Sequence, residues 1–252
     1  KIWFYATIHS EARREAGKGI MKWSRFFLFK HGLCTPVTIS EESKKSFYNF
    51  YKINAPMIYN GVSNYMGNGI SSLRDNDTQI LFIHPASCQP VKNQQLLIKA
   101  FAKFVEEYPN SKMIWMGRND TYKTLYESLI PDMVNQFKYI GPIAHVRDYL
   151  VQADAMCLSS KMEGMPITII EAFSVGCPVL CTPVGGIVNM IKEGENGMLS
   201  HSLSVDDYYF MLKRFSCLSS EERTHMKLMA SKSFVRYSIE NTAFEYLKIY
   251  SH

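Results

Sequence analysis

Between residues 79 and 193, short apolar runs alternate regularly with amphipathic segments, and this alternation restricts the fold class. The apolar runs have the length of buried strands, and the segments between them have the periodicity of helices. The predicted strand–helix pairs are 79–84 with 93–108, 112–116 with 120–130, 137–140 with 145–152, 154–158 with 166–175, and 178–182 with 186–193. Strands that alternate with helices pair in parallel. We therefore predict an α/β protein with a Rossmann-like, doubly wound parallel sheet.

The remainder of the chain predicts a partial second α/β domain and a helical tail. Before the alternating region, the predicted elements are strands at 2–8, 35–40 and 56–61, a helix at 11–31, and a helix from Ser40, its N-cap, to about Tyr51. After it, helices are predicted at 204–217, 220–231 and 239–251. We divide the chain into an N-terminal remnant (1–62), a polar linker (63–76), the main domain (77–235) and a C-terminal helix that crosses back (236–252).

Composition excludes several classes of function. The net charge of +5 comes from scattered basic residues, so nucleic acid is not predicted as a partner. The six cysteines form no metal-ligand spacing, and we expect no metal and no cofactor. Cys157 and Cys181 lie in apolar strands, which indicates buried reduced thiols and a cytoplasmic protein. There is no run of 18 apolar residues. The chain begins at Lys1 on a strand-like run, and we expect a piece of a longer protein.

Two glutamates, Glu163 and Glu171, mark the candidate site. Glu171 lies in an almost entirely apolar predicted helix, where an unpaired buried carboxylate costs several kcal/mol. It therefore needs a basic side chain or a ligand. Gly164, Met165 and Pro166 precede the helix, with Pro166 predicted at the first helical position. Free N–H groups at a helix start bind phosphate, and a carboxylate further along can accept ribose hydroxyls. This arrangement predicts a nucleotide site.

The segment that carries these residues, ADAMCLSSKMEGMPITIIEAFSVGCPVLCTPVGGIVNMIKEGENGML, resembles a known family. It is similar to the C-terminal domain of family-4 glycosyltransferases, which are retaining enzymes of GT-B fold. The shared features are the glutamate pair, the Gly-Cys-Pro-Val strand entry, and turns at Gly185-Gly186 and Asn196-Gly197. Weaker resemblance extends over nearly the whole chain. It implies that Glu163 lies beside the donor sugar and that Glu171 binds the ribose of the nucleotide.

The resemblance assigns roles to further residues. Lys92, beside Asn93 at the start of a predicted helix, would hold the donor diphosphate; the alternative is a solvated surface lysine. The family arginine about five residues earlier is missing, since the chain reads Ala86-Ser87-Cys88 there. Either Arg118 substitutes for it or diphosphate affinity is reduced, and an ordinary surface arginine is the alternative for Arg118.

Three other positions are candidates by the same resemblance. His9, at the end of the first predicted strand, would face the donor sugar across the cleft, or it is a structural histidine. The Gly185-Gly186 pair would let backbone amides approach the donor closely, or it forms a plain tight turn. Ile140, in the segment 139–142, lies where the family packs its nucleotide base.

Residues 11–31 combine basic and aromatic side chains. Such a helix can lie on an anionic membrane, which would place the protein at the inner face of the membrane with a lipid-linked acceptor. The alternative is a domain helix whose aromatic face belongs to the core. The basic residues are Arg13, Arg14, Lys18, Lys22, Arg25 and Lys30, and the aromatic ones are Trp23, Phe26, Phe27 and Phe29.

The function implied by the resemblance is transfer of a hexose from a nucleoside diphosphate sugar to an acceptor hydroxyl with retention. The acceptor is a glycan, a polysaccharide or a lipid-linked sugar. Since the family's acceptor site belongs to an earlier part of the N-terminal domain, we expect this chain alone to bind nucleotide and to transfer sugar poorly. The alternatives are a non-catalytic nucleotide-sugar-binding module and a GT-B epimerase or phosphorylase. An NAD-type oxidoreductase is disfavoured because no glycine fingerprint opens the first helix of the main domain.

Overall fold

The computed structural model describes residues 4–9, 12–17, 20–67, 69–118, 133 and 135–250. The predicted helix 120–130 lies outside the described residues. The strands are β1 (Tyr5–Ile8), β2 (Thr35–Thr38), β3 (Ile80–Pro85), β4 (Ser111–Met116), β5 (Phe137–Tyr139), β6 (Ala155–Leu158), β7 (Val179–Cys181) and β8 (Gly197–Leu199). The helices are α1 (Ala12–Glu15), α2 (Ile20–Lys30), α3 (Glu41–Tyr51), α4 (Gln94–Glu107), α5 (Arg147–Leu150), α6 (Ile167–Ser174), α7 (Ile187–Met190), α8 (Val205–Ser216), α9 (Ser220–Phe234) and α10 (Ile239–Tyr250).

Six of the strands form one parallel sheet in the order β5-β4-β3-β6-β7-β8. The predicted α/β fold class with a doubly wound sheet is confirmed. β3 and β6 are neighbours although two strands lie between them in sequence, so the chain changes direction at β3. The C-terminal ends of β3 and β6 therefore form the switch point at which ligands bind in this type of sheet.

The sheet has a hydrophobic core on each face because successive strand residues point to opposite sides. In β3, Leu81 and Ile83 pack on the side of α6, where Ile169 and Phe173 are fully buried. Phe82, between them, packs on the other side among residues of α4 and α8. Aliphatic and aromatic strand residues thus anchor helices on both faces, and this fixes where α6 begins relative to the strand ends.

The N-terminal part is a two-stranded parallel sheet, β1 with β2, packed against three helices. The prediction of Ser40 as N-cap is confirmed, since its hydroxyl accepts a hydrogen bond from the Ser43 N–H at 3.1 Å. The predicted helix 11–31 is two helices, α1 and α2. The predicted strand at 56–61 is wrong: the segment forms a single bridge between Thr38 and Met57, because its remaining backbone has no neighbouring strand among the described residues.

The segment 63–76 is attached to the main domain along its length. The Leu73 N–H donates to Gln152 Oε1 at 2.9 Å, and the Arg74 guanidinium lies 2.9 Å from an Asp154 carboxylate oxygen.

After the main domain, α10 returns to the N-terminal part and packs against it. Thr242 Oγ1 donates to the Tyr59 carbonyl at 3.0 Å, and the Tyr5 and Tyr250 rings lie 4.7 Å apart.

Several predicted boundaries differ from the structure. Pro166 is the N-cap of α6, with extended backbone, and is not the first helical residue. The helices predicted at 145–152 and 186–193 are single turns, α5 and α7. Gly197, predicted as part of a turn, begins β8. Short elements at sheet edges carry little periodic signal, and tertiary contacts decide their ends. Among the described residues, no helix is both long and apolar enough to cross a membrane.

Candidate active site

A cleft of about 390 Å³ lies at the C-terminal edge of the main sheet. Loops that follow β3, β4 and β5 form three of its sides, and the first turns of α6 form the fourth. Its lining residues are Pro85, Ala86, Ser87, Met116, Gly117, Arg118, Pro142, Ile143, Ala144, Val146, Thr168 and Glu171. The cleft is therefore bordered by the switch-point strand β3, as expected for a ligand site in a doubly wound sheet.

Glu171 projects from α6 into this cleft. Its side chain is half-buried, and burial raises the pKa of the carboxyl group above its ordinary value, while the charge of Arg147 partly offsets that rise. Arg147 itself donates to the Ser63 carbonyl at 2.6 Å. No described residue forms a hydrogen bond or an ion pair with the Glu171 carboxylate. Its two oxygens are available as acceptors for a ligand in the cleft.

Glu163 and Lys92 form an ion pair beside the switch point. Lys92 Nζ lies 2.7 Å from Glu163 Oε1, and the two side chains are 24% and 10% exposed. Lys92 ends a short 3₁₀ helix, and Asn93 occupies the N-cap position of α4, although its side chain makes no capping hydrogen bond. The sequence placed both residues at this site, but it did not predict their contact.

Three hydroxyl residues that sequence reasoning missed hold this pair in place. Ser160 Oγ donates to Glu163 Oε1 at 2.6 Å, and Thr182 Oγ1 donates to the Ser160 carbonyl at 2.6 Å. Ser159 Oγ lies 2.9 Å from the Lys92 carbonyl oxygen, to which it donates. Their positions in the sequence could have identified them, because Ser159 and Ser160 follow β6 and Thr182 follows β7, at the same sheet edge.

The Gly185-Gly186 turn packs directly on the loop that carries Glu163. A Cβ at Gly185 would lie 1.9 Å from the Glu163 carbonyl oxygen, and one at Gly186 would lie 1.9 Å from that of Gly164. Gly185 also has a positive φ of 51°. The close approach that the glycines permit is therefore to protein backbone, and the Gly186 N–H donates to the Glu163 carbonyl at 3.2 Å.

His9 lies where the N-terminal part meets this loop. Its side chain is exposed, and its carbonyl oxygen lies 3.3 Å from the position that a Cβ at Gly164 would occupy. Met165, which follows, is buried in the core on the α6 face. The structure thus brings His9 next to the loop that carries Glu163. The role of His9 toward a sugar stays a prediction.

The remaining predicted residues are divided between cleft and core. Arg118 lines the cleft, and its carbonyl accepts a hydrogen bond from the Cys88 N–H at 3.0 Å. Ile140 packs against the hydrophobic core, and its N–H donates to the Trp115 carbonyl at 3.0 Å. Pro142 and Ile143, next along the chain, provide the cleft wall instead. The segment 139–142 thus reaches the cleft, and contact of Ile140 with a nucleotide base stays a prediction.

The charged side chains at this edge of the sheet have the chemistry needed to bind an anion and hydroxyl groups. Lys92 and Arg118 supply positive charge, and Glu163 and Glu171 supply acceptors for hydroxyl groups. Among the residues that the structure describes, no group of three or more His, Cys, Asp or Glu side chains could hold a metal ion. Cys157, Cys177 and Cys181 are free and buried, and burial raises the pKa of the Cys177 thiol to about 12.

The sequence profile of the family Glycosyl transferases group 1 matches residues 70–228, which is more than half of the chain. This chain belongs to that family. One relative is N-acetyl-alpha-D-glucosaminyl L-malate synthase from Bacillus anthracis. It is 29% identical over 126 residues, which cover 49% of this chain and 32% of the relative. Another, a D-inositol 3-phosphate glycosyltransferase from Kribbella flavida, is 27% identical over 132 residues, with coverage of 48% and 31%. The match therefore spans about a third of the length of these two relatives.

Solved structures with the same fold are GT-B glycosyltransferases. The Anabaena protein Alr3699/HepE, crystallised in complex with UDP and glucose, superimposes with a TM-score of 0.79 at 18% identity. The alignment covers 99% of this chain and 71% of that protein. Staphylococcus aureus TarM gives 0.79 at 15% identity, with coverage of 99% and 51%. At these identities the likeness establishes the GT-B fold.

Proposed function

We propose that this chain is the donor-binding part of a retaining, family-4 hexosyltransferase. It binds a nucleoside diphosphate sugar, and the hexose passes to an acceptor hydroxyl with retained configuration. The observation that carries the proposal is Glu171, a half-buried carboxylate without a bonding partner among the described residues, aimed into a cleft at the switch point. A ribose would supply the hydroxyl donors that this carboxylate lacks.

Different residues of the site contribute to different parts of the transfer reaction. Lys92 and Arg118, together with backbone N–H groups at the start of α6, stabilise the charge that develops on the leaving diphosphate, so that no metal is required. Glu163 and His9 orient the sugar. Retention without a protein nucleophile is achieved by attack on the same face of the sugar that the diphosphate leaves, with the leaving phosphate as the base.

The experiment is a thermal-shift screen with UDP, GDP, ADP and CMP, repeated on Glu171→Ala. A nucleotide that binds the native state at about 100 times its Kd stabilises that state by roughly 2.7 kcal/mol. We expect UDP to raise the midpoint, because the Anabaena neighbour was crystallised with UDP and glucose. Glu171→Ala should lose the shift, and Glu195→Ala, a surface change, should keep it. Absence of any shift in the wild type, or an undiminished shift in Glu171→Ala, would contradict the proposal.

A second candidate is a non-catalytic nucleotide-sugar-binding module. It is favoured by the stretch Ala86-Ser87-Cys88, which lines or borders the cleft without the arginine that family-4 enzymes commonly carry there. Both candidates predict nucleotide binding, so turnover separates them. The assay follows release of UDP from UDP-sugars by the longer protein in the presence of glycan or lipid-linked acceptors. An epimerase would instead interconvert UDP-sugars without any acceptor.

We also propose a peripheral contact of α2 with anionic membrane, which would suit a lipid-linked acceptor. Outward side chains of α2 are strongly exposed, with Ile20 at 88% and Trp23 at 68%, and the helix carries basic residues without an acidic one. Sedimentation with vesicles of anionic or neutral lipid tests this contact. Binding to anionic vesicles that is weakened by Trp23→Ser supports it, whereas no binding, or equal binding to neutral vesicles, contradicts it.

A further inference from the structure

Lys92 is not a solitary cation at this edge of the sheet, because its ammonium is bonded to Glu163 Oε1 at 2.7 Å. The same oxygen accepts the Ser160 hydroxyl at 2.6 Å. The pair is largely screened from water, with side chains 24% and 10% exposed, so its attraction is stronger than that of a surface pair. Any anion that recruits Lys92 must therefore compete with a carboxylate.

The backbone on both sides of the ion pair is tied down. Ser159 Oγ bonds the carbonyl oxygens of Lys92 and Asn93 at 2.9 and 3.2 Å, and the Lys161 N–H donates to the Val91 carbonyl at 2.8 Å. Thr182 fixes the carbonyl of Ser160. The two loops are thus one hydrogen-bonded unit, and the long Lys92 side chain is the part that can rotate between two anionic partners.

We infer that Lys92 is exchanged between Glu163 and the diphosphate of the donor, and that Ser160 is a positioning residue that keeps Glu163 in place during this exchange. The inference rests on the proposed function and adds to the same site a competition between Glu163 and the diphosphate for Lys92. A diphosphate carries more negative charge than one carboxylate and draws the ammonium toward itself. Ser160 still donates to Glu163 Oε1, so the carboxylate stays directed at the sugar. Glu163 therefore weakens nucleotide binding by competing for Lys92.

This exchange predicts an unusual result: removing the charge of a site glutamate tightens nucleotide binding. Isothermal titration with UDP compares the wild type, Glu163→Gln, Lys92→Met and the double variant. A partly buried ion pair of modest strength corresponds to about 2–5-fold in affinity, so Glu163→Gln should bind UDP about 2–5-fold more tightly. Lys92→Met should bind more weakly. In the Lys92→Met background, Glu163→Gln should give no gain, because the competition has been removed.

Glu42 supplies the matched control for simple charge removal. Its Oε2 lies 3.1 Å from the position that a Cβ at Gly185 would occupy, so it is a second carboxylate at the same turn. Glu42→Gln measures the effect of losing a negative charge beside the loop that carries Glu163. A gain in Glu163→Gln that equals the gain in Glu42→Gln, or that persists in Lys92→Met, would overturn the exchange.

The role of Ser160 is tested by comparing UDP with UDP-glucose. Ser160→Ala should lower affinity for UDP-glucose more than affinity for UDP, because only the sugar contacts Glu163 directly. Ser160→Thr, which keeps the hydroxyl, should restore the ratio. An equal loss for both ligands in Ser160→Ala, or no rescue by Ser160→Thr, would show a merely structural serine and contradict the inference.

The outcomes also separate this inference from the proposed function. If the wild type binds UDP and Glu171→Ala does not, the function stands whatever Glu163→Gln shows. If Glu163→Gln then fails to tighten binding through Lys92, the exchange alone is wrong. If no nucleoside diphosphate binds the wild type, both are wrong.

Discussion

At the scale of single residues, the half-buried carboxylate of Glu171 lowers the stability of the folded protein. A half-buried carboxylate with no bonding partner among the described residues is disfavoured in its charged form, and its raised pKa records that cost. Such a group is retained where binding uses it, since proteins tolerate local destabilisation at functional positions.

We predict that Glu171→Gln stabilises the protein while it removes nucleotide binding. The gain should be roughly 0.5–2 kcal/mol at pH 7. Because the folded-state pKa is raised, the cost of the carboxylate is fully present above that pKa and disappears as the pH falls toward the ordinary value for glutamate. Urea unfolding at several pH values measures both effects. A variant less stable than the wild type at pH 7 would contradict this prediction.

His84 also makes the stability of the folded protein depend on pH, but in the opposite direction to Glu171. It is fully buried, with Nδ1 2.8 Å from the Cys157 carbonyl oxygen, and burial lowers its pKa to about 4. Because the unfolded chain binds the proton more readily, stability is fully present above pH 6.5 and is lost as the pH falls toward 4, by roughly 3 kcal/mol.

We predict that His84→Gln flattens the pH dependence of unfolding between pH 6.5 and 4. The measurement is the free energy of unfolding from urea titrations across this range. His225→Gln, which changes an exposed histidine, is the control and should leave the slope as in the wild type. An unchanged slope in His84→Gln would show that another group controls the acid transition.

At the scale of elements, the turn between β7 and α7 packs against the loop that carries Glu163 and holds that loop in position. We predict that Gly185→Ala destabilises the protein by about 2 kcal/mol more than Gly194→Ala. Both glycines have positive φ, which costs a residue with a Cβ roughly 1–2 kcal/mol. Only at Gly185 would the Cβ also meet a backbone oxygen, at 1.9 Å; at Gly194 the space is open.

Urea unfolding of the two variants, with thermal shifts in UDP, checks this prediction. Gly185→Ala should also reduce the UDP shift, because the displaced loop leads directly into the start of α6, whose backbone N–H groups meet the diphosphate in the proposed function. Gly194→Ala should retain it. Equal destabilisation of the two variants would mean that the loop moves aside at no cost.

Elements with a clear helical period or a continuous apolar run could be predicted from sequence, including the three-residue strands β5 and β7. Most of the described elements of the main domain were found because each buries a face with a definite period, as in α4, where the prediction 93–108 became Gln94–Glu107. β8 was missed because it begins with a glycine that was predicted as part of a turn. Residues 56–61 looked like a strand, but no described neighbour completes a ladder there.

The sequence selected residues that the structure places at one edge of the sheet, whereas it did not predict their pairings. Glu171 was selected from the cost of burying charge and Lys92 from the family pattern, and their roles toward a donor stay predictions. Contact between Lys92 and Glu163 joins residues 71 positions apart and depends on how two loops hydrogen bond to each other. Ile140 packs against the core and Pro142 lines the cleft, so contact of this segment with a nucleotide base stays a prediction.

At the scale of the whole molecule, α10 connects the C-terminal end of the main domain to the N-terminal part. We predict that Gly61→Ala loosens this connection. A Cβ there would lie 2.4 Å from Thr242 Oγ1 and 2.8 Å from the Ile239 Cα, and overpacking of this kind costs about 1–3 kcal/mol.

Hydrogen–deuterium exchange checks this prediction. Gly61→Ala should speed exchange in β1, β2 and α10, while β3 and β6 keep wild-type protection. Gly32→Ala is the control in the same part of the chain: its positive φ of 64° makes the substitution strained, but the added methyl group meets open space, so exchange in α10 should stay as in the wild type. Uniformly faster exchange through the main sheet would contradict a local connection.

The return of α10 also has a consequence for biosynthesis. Thr7 and Tyr246 share a hydrogen bond of 3.4 Å although they are 239 positions apart. A ribosome that makes this polypeptide releases β1 long before α10 exists. The main sheet can assemble during translation, whereas the contact between β1 and α10 forms only after α10 has emerged.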